Sequence, residues 1–187
     1  MKTIFFTGAT GYIGQRLKKQ LLHRGNRVIG LVRKGSEQKL VGGAIAVTAN
    51  PFDSTSFESS IPKDSVFIRL PGVSHPSPTK TKQLEDVDLK SVMSSVDGAV
   101  NSGVAHLIYV SVAMAPSNLM ASYHQIRKNG ETYCKTKGLK CTFIRPRYLV
   151  NPGHYWSVLL LPLLYGIAKI IPVWRQKARG MALVTIR

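Results

Sequence analysis

The sequence predicts an α/β protein built on a doubly wound parallel sheet, and three observations predict it. A short apolar run (Ile4, Phe5, Phe6) leads into Thr7-Gly8-Ala9-Thr10-Gly11-Tyr12-Ile13-Gly14, which leads into a helical pattern of Ile13, Leu17 and Leu21. Strand-like and helix-like segments then alternate along the chain, as parallel strands joined by crossover helices require. Finally, 187 residues that are 44% hydrophobic suffice for one sizeable core, so a single domain is expected over 1–187.

Taken in order, Lys2 to Thr7 reads as the first strand and Tyr12 to about Gly25 as the first helix, ended by Gly25-Asn26. Arg27 to Val32 is the second strand and Ala44 to Thr48 the third. Asp53 is placed to cap a short helix through Phe57, and Ser65 to Leu70 is the fourth strand. From about Thr79 to Ser102, Leu89, Val92, Met93, Val96 and Val100 recur at helical spacing, and Gly103 closes the segment. His106 to Val112 is a fifth strand, Leu119 to Lys137 a helix and Lys140 to Pro146 a sixth strand. Asn151 to His154 is a turn by composition.

The glycine segment carries the clearest chemistry. Gly8 permits a sharp turn, Gly11 a close backbone approach to a ligand, and Gly14 a close approach of helix to strand. The free N–H groups of the first helical turn then favour a diphosphate. Thr-Gly-Ala-Thr-Gly-Tyr-Ile-Gly resembles the cofactor loop of the extended and atypical short-chain dehydrogenase/reductases, a family that includes sugar-nucleotide epimerases and NmrA-like proteins. The resemblance runs from Lys2 to about His154. It implies an NAD(P)-binding Rossmann fold, with Thr7, Gly8, Thr10, Gly11, Tyr12, Ile13 and Gly14 at the cofactor and 147–187 as a partial substrate-binding or lid portion.

An acidic side chain at the end of the second strand would accept hydrogen bonds from a free ribose 2′-hydroxyl. Arg33 and Lys34 stand there instead, which suits a 2′-phosphate and favours NADP(H) over NAD(H). The other reading of the pair is two solvated loop cations. Asn50 occupies the place where the family often has an acid against the adenine amino group, and its amide oxygen can still accept that bond. Leu70-Pro71-Gly72 resembles the family's stretch beside the cofactor ribose. Arg145-Pro146-Arg147-Tyr148 resembles the segment after which the substrate portion begins, with Pro146 at the cofactor. His75, Tyr148, His154 and Trp156 are candidate substrate contacts, His75 also reading as a solvated loop histidine.

The resemblance places a substrate-orienting serine at Ser111 and the family's Tyr-x-x-x-Lys at Tyr123 to Arg127. In the family the lysine lowers the tyrosine pKa, ordinarily near 10, and holds the nicotinamide ribose. Arginine can stabilise a tyrosinate and donate to ribose hydroxyls, but it releases no proton. Lys128 lies about 100° round the helix and does not restore the pattern. Two readings stay open: Ser111, Tyr123 and Arg127 as a catalytic set, or a helix-surface Tyr123 stacked on Arg127 with Glu131 as its salt-bridge partner.

Residues 155–174 are almost wholly apolar, with Lys169 the only formal charge. Pro162, Gly166 and Pro172 disfavour a clean span, so a packed helix or lid is preferred over an interfacial helix or a membrane span. The net charge of +17 will attract anions. Its basic residues, Lys18 and Lys19 among them, are scattered and read as a solvated surface without specific nucleic-acid binding. Cys134 and Cys141 suit packing, and neither a disulfide framework nor a metal site is expected. Lys2 leads straight into a strand, so no secretion signal is expected and the cytoplasm is the default.

The function expected is NADP(H)-dependent hydride transfer to or from a small carbonyl, alcohol or nucleotide-sugar-like substrate, in an oxidoreductase or an epimerase/dehydratase-like enzyme. Two rivals are a catalytically silent NADP(H)-binding regulatory protein and a membrane-surface protein handling an apolar molecule. The partners held open are a small-molecule substrate, a second copy of the chain and a peripheral membrane contact through 155–174.

Overall fold

A computed structural model describes residues 1–40, 42–70, 82, 84–113, 121–146, 148–149 and 183–184. Its main unit comprises Met1–Ser111 with Leu119–Ile144, and a second unit comprises Val112–Asn118 with Arg145–Arg187.

Six parallel strands form the sheet of the main unit: β1 (Thr3–Thr7), β2 (Arg27–Val32), β3 (Ile45–Thr48), β4 (Val66–Arg69), β5 (His106–Val110) and β6 (Cys141–Ile144). Their order is β3-β2-β1-β4-β5-β6, so the winding reverses between β1 and β4. Ligands of open α/β sheets bind at the carboxyl ends of the strands beside such a switch point. Parallel pairing requires crossovers, and α1 (Tyr12–His23), α2 (Lys90–Asn101) and α3 (Ala121–Thr136) account for three of them.

Strand alternation divides the core between two faces. Phe5, Phe67, Leu107 and Tyr109 pack with Phe57, with Val92, Val96 and Ala99 of α2 and with Cys134 of α3. Ile4, Phe6, Val28, Ile68 and Val110 form the opposite layer, against which Ile13, Leu17 and Leu21 of α1 pack. Burial on both faces explains why these strands read as apolar runs rather than as an alternating pattern.

The strands and helices follow the sequence pattern with ends shifted by a few residues. Two local differences have physical causes. The segment after β3 folds as two 3-10 turns, Ser54–Ser56 and Glu58–Ser60, and Asp53 caps the first by accepting from the Thr55 amide at 3.1 Å. A π-helical turn over Leu84–Leu89 precedes α2, which buries Ser91, Ser94, Ser95 and Gly98 beside its valines. Small residues let α2 sit close to its neighbours, and Met93 and Val100 fall on its exposed side despite their helical spacing. In the second unit Tyr148–Leu149 (β7) pairs in parallel with Leu183–Val184 (β8). No helix among the described residues is long and apolar enough to cross a membrane, and 155–174 lies outside them.

Candidate functional site

The phosphate end of the site is made of backbone. β1 stops at Thr7, Gly8 takes a left-handed φ of 76°, and α1 starts from Gly11 with no side-chain cap. The first-turn amides of Tyr12, Ile13 and Gly14 therefore have no intrahelical acceptor. Close packing fixes this geometry. A Cβ on Gly14 would lie 2.7 Å from the Ala9 carbonyl oxygen and closer still to that of Gly8, and one on Gly8 would lie 2.9 Å from Leu70 Cβ. Such a cradle fits a diphosphate, since a helix N-terminus with free amides is an anion site. Arg16, which the sequence pattern did not single out, stacks 3.9 Å from the Tyr12 ring centroid and adds a cation beside this turn.

Arg33 and Lys34 are both exposed just past β2. Glu37, also not anticipated, follows in a 3-10 turn and accepts from Thr48 Oγ1 at 3.0 Å. Hydrogen bonds from its own backbone, from Thr48 and from Gly35, with Lys34 nearby, hold its carboxyl below the ordinary range. Asn50 is exposed, and its Oδ1 accepts from the Phe52 amide at 3.1 Å in an Asx turn. Only further acceptor capacity of that oxygen would be left for an adenine.

The third region lies under the carboxyl ends of β1, β4 and β5, where Thr7, Arg69 and Tyr109 are in register. Arg127 from α3 is fully buried, and its Nη2 donates to Asp88 Oδ2 at 2.8 Å. Glu131 is buried one turn further along α3, and Asp88 pairs with Arg127 from another element. The Arg127 guanidinium stands 5.0 Å from the Tyr123 ring centroid, so the expected stacking is present, with Tyr123 half-buried and Arg127 fully buried. Burial pulls the Arg127 pKa down, but Tyr109 and Asp88 outweigh it and the net shift is upward.

Arg69 approaches the same carboxylate at 3.9 Å and donates to Ser91 Oγ at 2.6 Å and to the Leu70 carbonyl. Burial, then the neighbouring Arg127, lower its pKa. Burial raises the Tyr109 phenol, an effect that the two arginines partly offset. Asp88 and Arg69 carry no motif in the sequence. The one available signal was an arginine inside an otherwise apolar strand, which a buried partner must satisfy.

Ser111 closes β5 with its Oγ buried, and neither that oxygen nor Thr7 Oγ1 has a hydrogen-bond partner among the described residues. Leu70 is buried beside Gly8. Pro146 belongs to the second unit, where its carbonyl accepts from the Ala113 amide at 3.0 Å. Tyr148 lies in β7. Pro71, Gly72, His75, His154 and Trp156 lie outside the described residues. Lys18, expected on the solvated basic surface, is instead buried on α1, bonded to Gln15 Oε1 at 2.9 Å, and burial lowers its pKa. Among the described residues no cluster of acids, histidines or cysteines could hold a metal. Cys134 and Cys141 are free thiols.

A doubly wound sheet whose first crossover opens on an uncapped glycine turn defines a dinucleotide-binding α/β protein. The comparisons with known proteins agree. The NAD(P)H-binding family model matches residues 8–159, and the chain belongs to that family. No curated protein matches the sequence.

Among solved structures, the chain is similar to the Bordetella bronchiseptica enzyme WbmH in complex with NAD+, with TM-score 0.66 and 20% identity over 80% of this chain and 57% of that one. It is similar to the UDP-glucose 4-epimerase of Thermotoga maritima with UDP-glucose, with TM-score 0.64 and 17% identity over 80% of this chain and 56% of that one. The Citrobacter sp. triphenylmethane reductase complexed with NADP(H) gives TM-score 0.63 and 19% identity over 79% and 50%. These likenesses establish the fold. The chain spans between half and three-fifths of the length of each of these three.

Proposed function

We propose that the chain binds NADP(H) and serves hydride transfer to or from a small carbonyl, alcohol or nucleotide-sugar-like substrate. The observation that carries the reading is the uncapped turn from Gly8 to Gly14, where any side chain on Gly14 would collide with backbone oxygens. The first-turn amides bind the diphosphate, and Arg33 and Lys34 bind the 2′-phosphate against the single acid Glu37. When bound, the nicotinamide supplies or accepts the hydride. Ser111 Oγ, with no competing partner among the described residues, orients the substrate oxygen, and the Tyr123 hydroxyl exchanges its proton. Arg127, pinned by Asp88, holds its positive charge against the Tyr123 ring.

Titration of the intact protein with NADPH and NADH tests the cofactor. NADPH should bind at least about tenfold more tightly, and Arg33→Ala with Lys34→Ala should remove most of that preference. Equal affinity for the two in the unaltered protein would refute the 2′-phosphate assignment.

The pairing of Arg127 with Asp88 favours a second reading, a regulatory NADP(H)-binding protein without turnover. A guanidinium fixed at 2.8 Å by a buried carboxylate cannot swing between ribose and tyrosine, or release a proton, as a lysine would. NADPH oxidation across a carbonyl panel, lost in Tyr123→Phe, supports the enzyme. Tight NADPH binding with no oxidation by any member supports the regulator.

A further inference from the structure

Arg16 brings a side-chain charge to a glycine turn built from backbone. Side chains of an α-helix lean towards its N-terminus, so Arg16 reaches back over Tyr12, the first residue of α1. Its guanidinium carbon lies 3.9 Å from the Tyr12 ring centroid, and Nη1 donates to the Tyr12 carbonyl oxygen at 3.4 Å. That oxygen belongs to the peptide unit whose N–H is the Ile13 amide, one of the first-turn donors without an intrahelical acceptor. The cation therefore stands beside the donors of the phosphate end.

No acid balances it there. α1 contains no acidic residue, and Arg16 forms no ion pair among the described residues. A cation near a helix N-terminus stands at the positive end of the dipole, where an anion is favoured instead. Stacking on the half-buried Tyr12 ring nevertheless holds it in place. The bond to Tyr12 engages one nitrogen of a forked, donor-only group and leaves the rest of the fork for an acceptor. A second polar group waits at the same turn: Thr7, 7% exposed at the end of β1, has no partner for its Oγ1 among the described residues.

We propose, on the reading above in which the amides of this turn take the diphosphate, that Arg16 closes over that diphosphate and binds it through its guanidinium. Backbone amides donate hydrogen bonds but carry no net charge, whereas the diphosphate is anionic on both phosphoryl groups. Arg16 supplies the countercharge, and its planar fork matches a pair of phosphate oxygens. Tyr12 is a positioning residue that acts through Arg16 by holding the fork beside the turn. The division of labour with the loop after β2 follows: Arg33 and Lys34 answer to the 2′-phosphate that distinguishes NADPH from NADH, and Arg16 to the diphosphate that the two share. Arg16 thus raises affinity without choosing between them.

NADPH and NADH dissociation constants, measured by calorimetry on the whole chain, test this for the parent, Arg16→Gln, Arg16→Lys, Tyr12→Leu and the double variant of Tyr12→Leu with Arg16→Gln. Arg16→Gln should weaken both nucleotides by the same factor, about tenfold, as the loss of one charge-assisted pair does. Arg16→Lys keeps the charge without the fork and should cost about threefold. Tyr12→Leu should also cost about threefold, and the double variant should bind no more weakly than Arg16→Gln alone. Because Arg16 is only half-buried, the Arg16→Gln deficit should shrink as salt is raised.

Affinities unchanged by Arg16→Gln overturn the proposal. So does a deficit confined to NADPH, which would put the guanidinium at the 2′-phosphate, or one that salt leaves undiminished, which would mean lost packing rather than lost charge. Should Arg16→Gln fail to fold, Arg16→Lys and Tyr12→Leu carry the comparison, and unchanged binding of both nucleotides in both variants is then the refuting result. Failure of the parent to take up either nucleotide overturns the NADP(H) reading itself, and this proposal with it.

Discussion

The glycine turn after β1 and the charged cluster under β4 and β5 lie towards the carboxyl ends of neighbouring strands of one sheet, yet they are made of opposite materials. The turn is backbone from a single short stretch, held by the absence of side chains at Gly8 and Gly14. Side chains make the cluster, drawn from β4, the turn before α2, β5 and α3, and Asp88 ties them together. The first is rigid because nothing larger than hydrogen fits. Its neighbour is rigid because charges taken out of water must satisfy one another. One site therefore fails by steric collision and the other by unpaired charge, and substitutions can tell them apart.

The largest expected effect is in the cluster. Arg127→Met removes the nearer of the two arginines at Asp88 and should cost about 3 kcal/mol of stability in urea unfolding, the low end of what breaking a buried pair costs. A loss below roughly 1 kcal/mol would mean that the pair is not the tie described.

Gly14→Ala comes next. Its methyl would meet the carbonyl oxygens of Gly8 and Ala9, which no rotamer change can relieve, so α1 must shift at a cost of about 1–3 kcal/mol. NADPH binding should be lost in the same variant even where the fold survives. Retained binding would break the claim that backbone packing shapes the phosphate end.

Arg69→Met should cost only about 1–2 kcal/mol, because Asp88 keeps its closer partner. A cost equal to that of Arg127→Met would show that Asp88 belongs to both arginines alike.

The smallest effect lies outside both regions. Burial, and then the adjacent Cys141, push the Cys134 thiol up to about 12 from 9.0. The unfolded chain releases that proton first, so the contribution is intact below pH 9.0 and is lost as pH rises towards about 12. Near pH 9.5 the loss should be under about 1 kcal/mol, and the difference between parent and Cys134→Ala unfolding curves should shrink over that range.

Legibility in the sequence followed the same division. The glycine turn and the succession of strands and helices along the chain could be read because each depends on neighbours a few residues away. Arg33 and Lys34 were legible as cations past β2, whereas Glu37 joined them only through the 3-10 turn and its bond to Thr48. Tyr123 and Arg127 were visible as a spaced pair on a helix. Their spacing suggested Glu131 as the balancing acid, because residues four apart share a helix face. The packed structure brings Asp88 to Arg127 from another element, at 2.8 Å, a partner that spacing along α3 does not show. Lys18 shows the same limit, since its place in an amphipathic helix gave no sign that it would be buried against Gln15.

By itself the sequence determined the α/β class, the parallel sheet and the glycine turn between β1 and α1, because hydrophobic period and glycine conformation are local properties of the chain. Tertiary structure alone decided which charges meet in the core, that Arg127 is buried rather than on the surface, and that Arg69 shares its carboxylate. Long-range pairing of that kind depends on where β4, the turn before α2, β5 and α3 converge, and no spacing along a single segment encodes it.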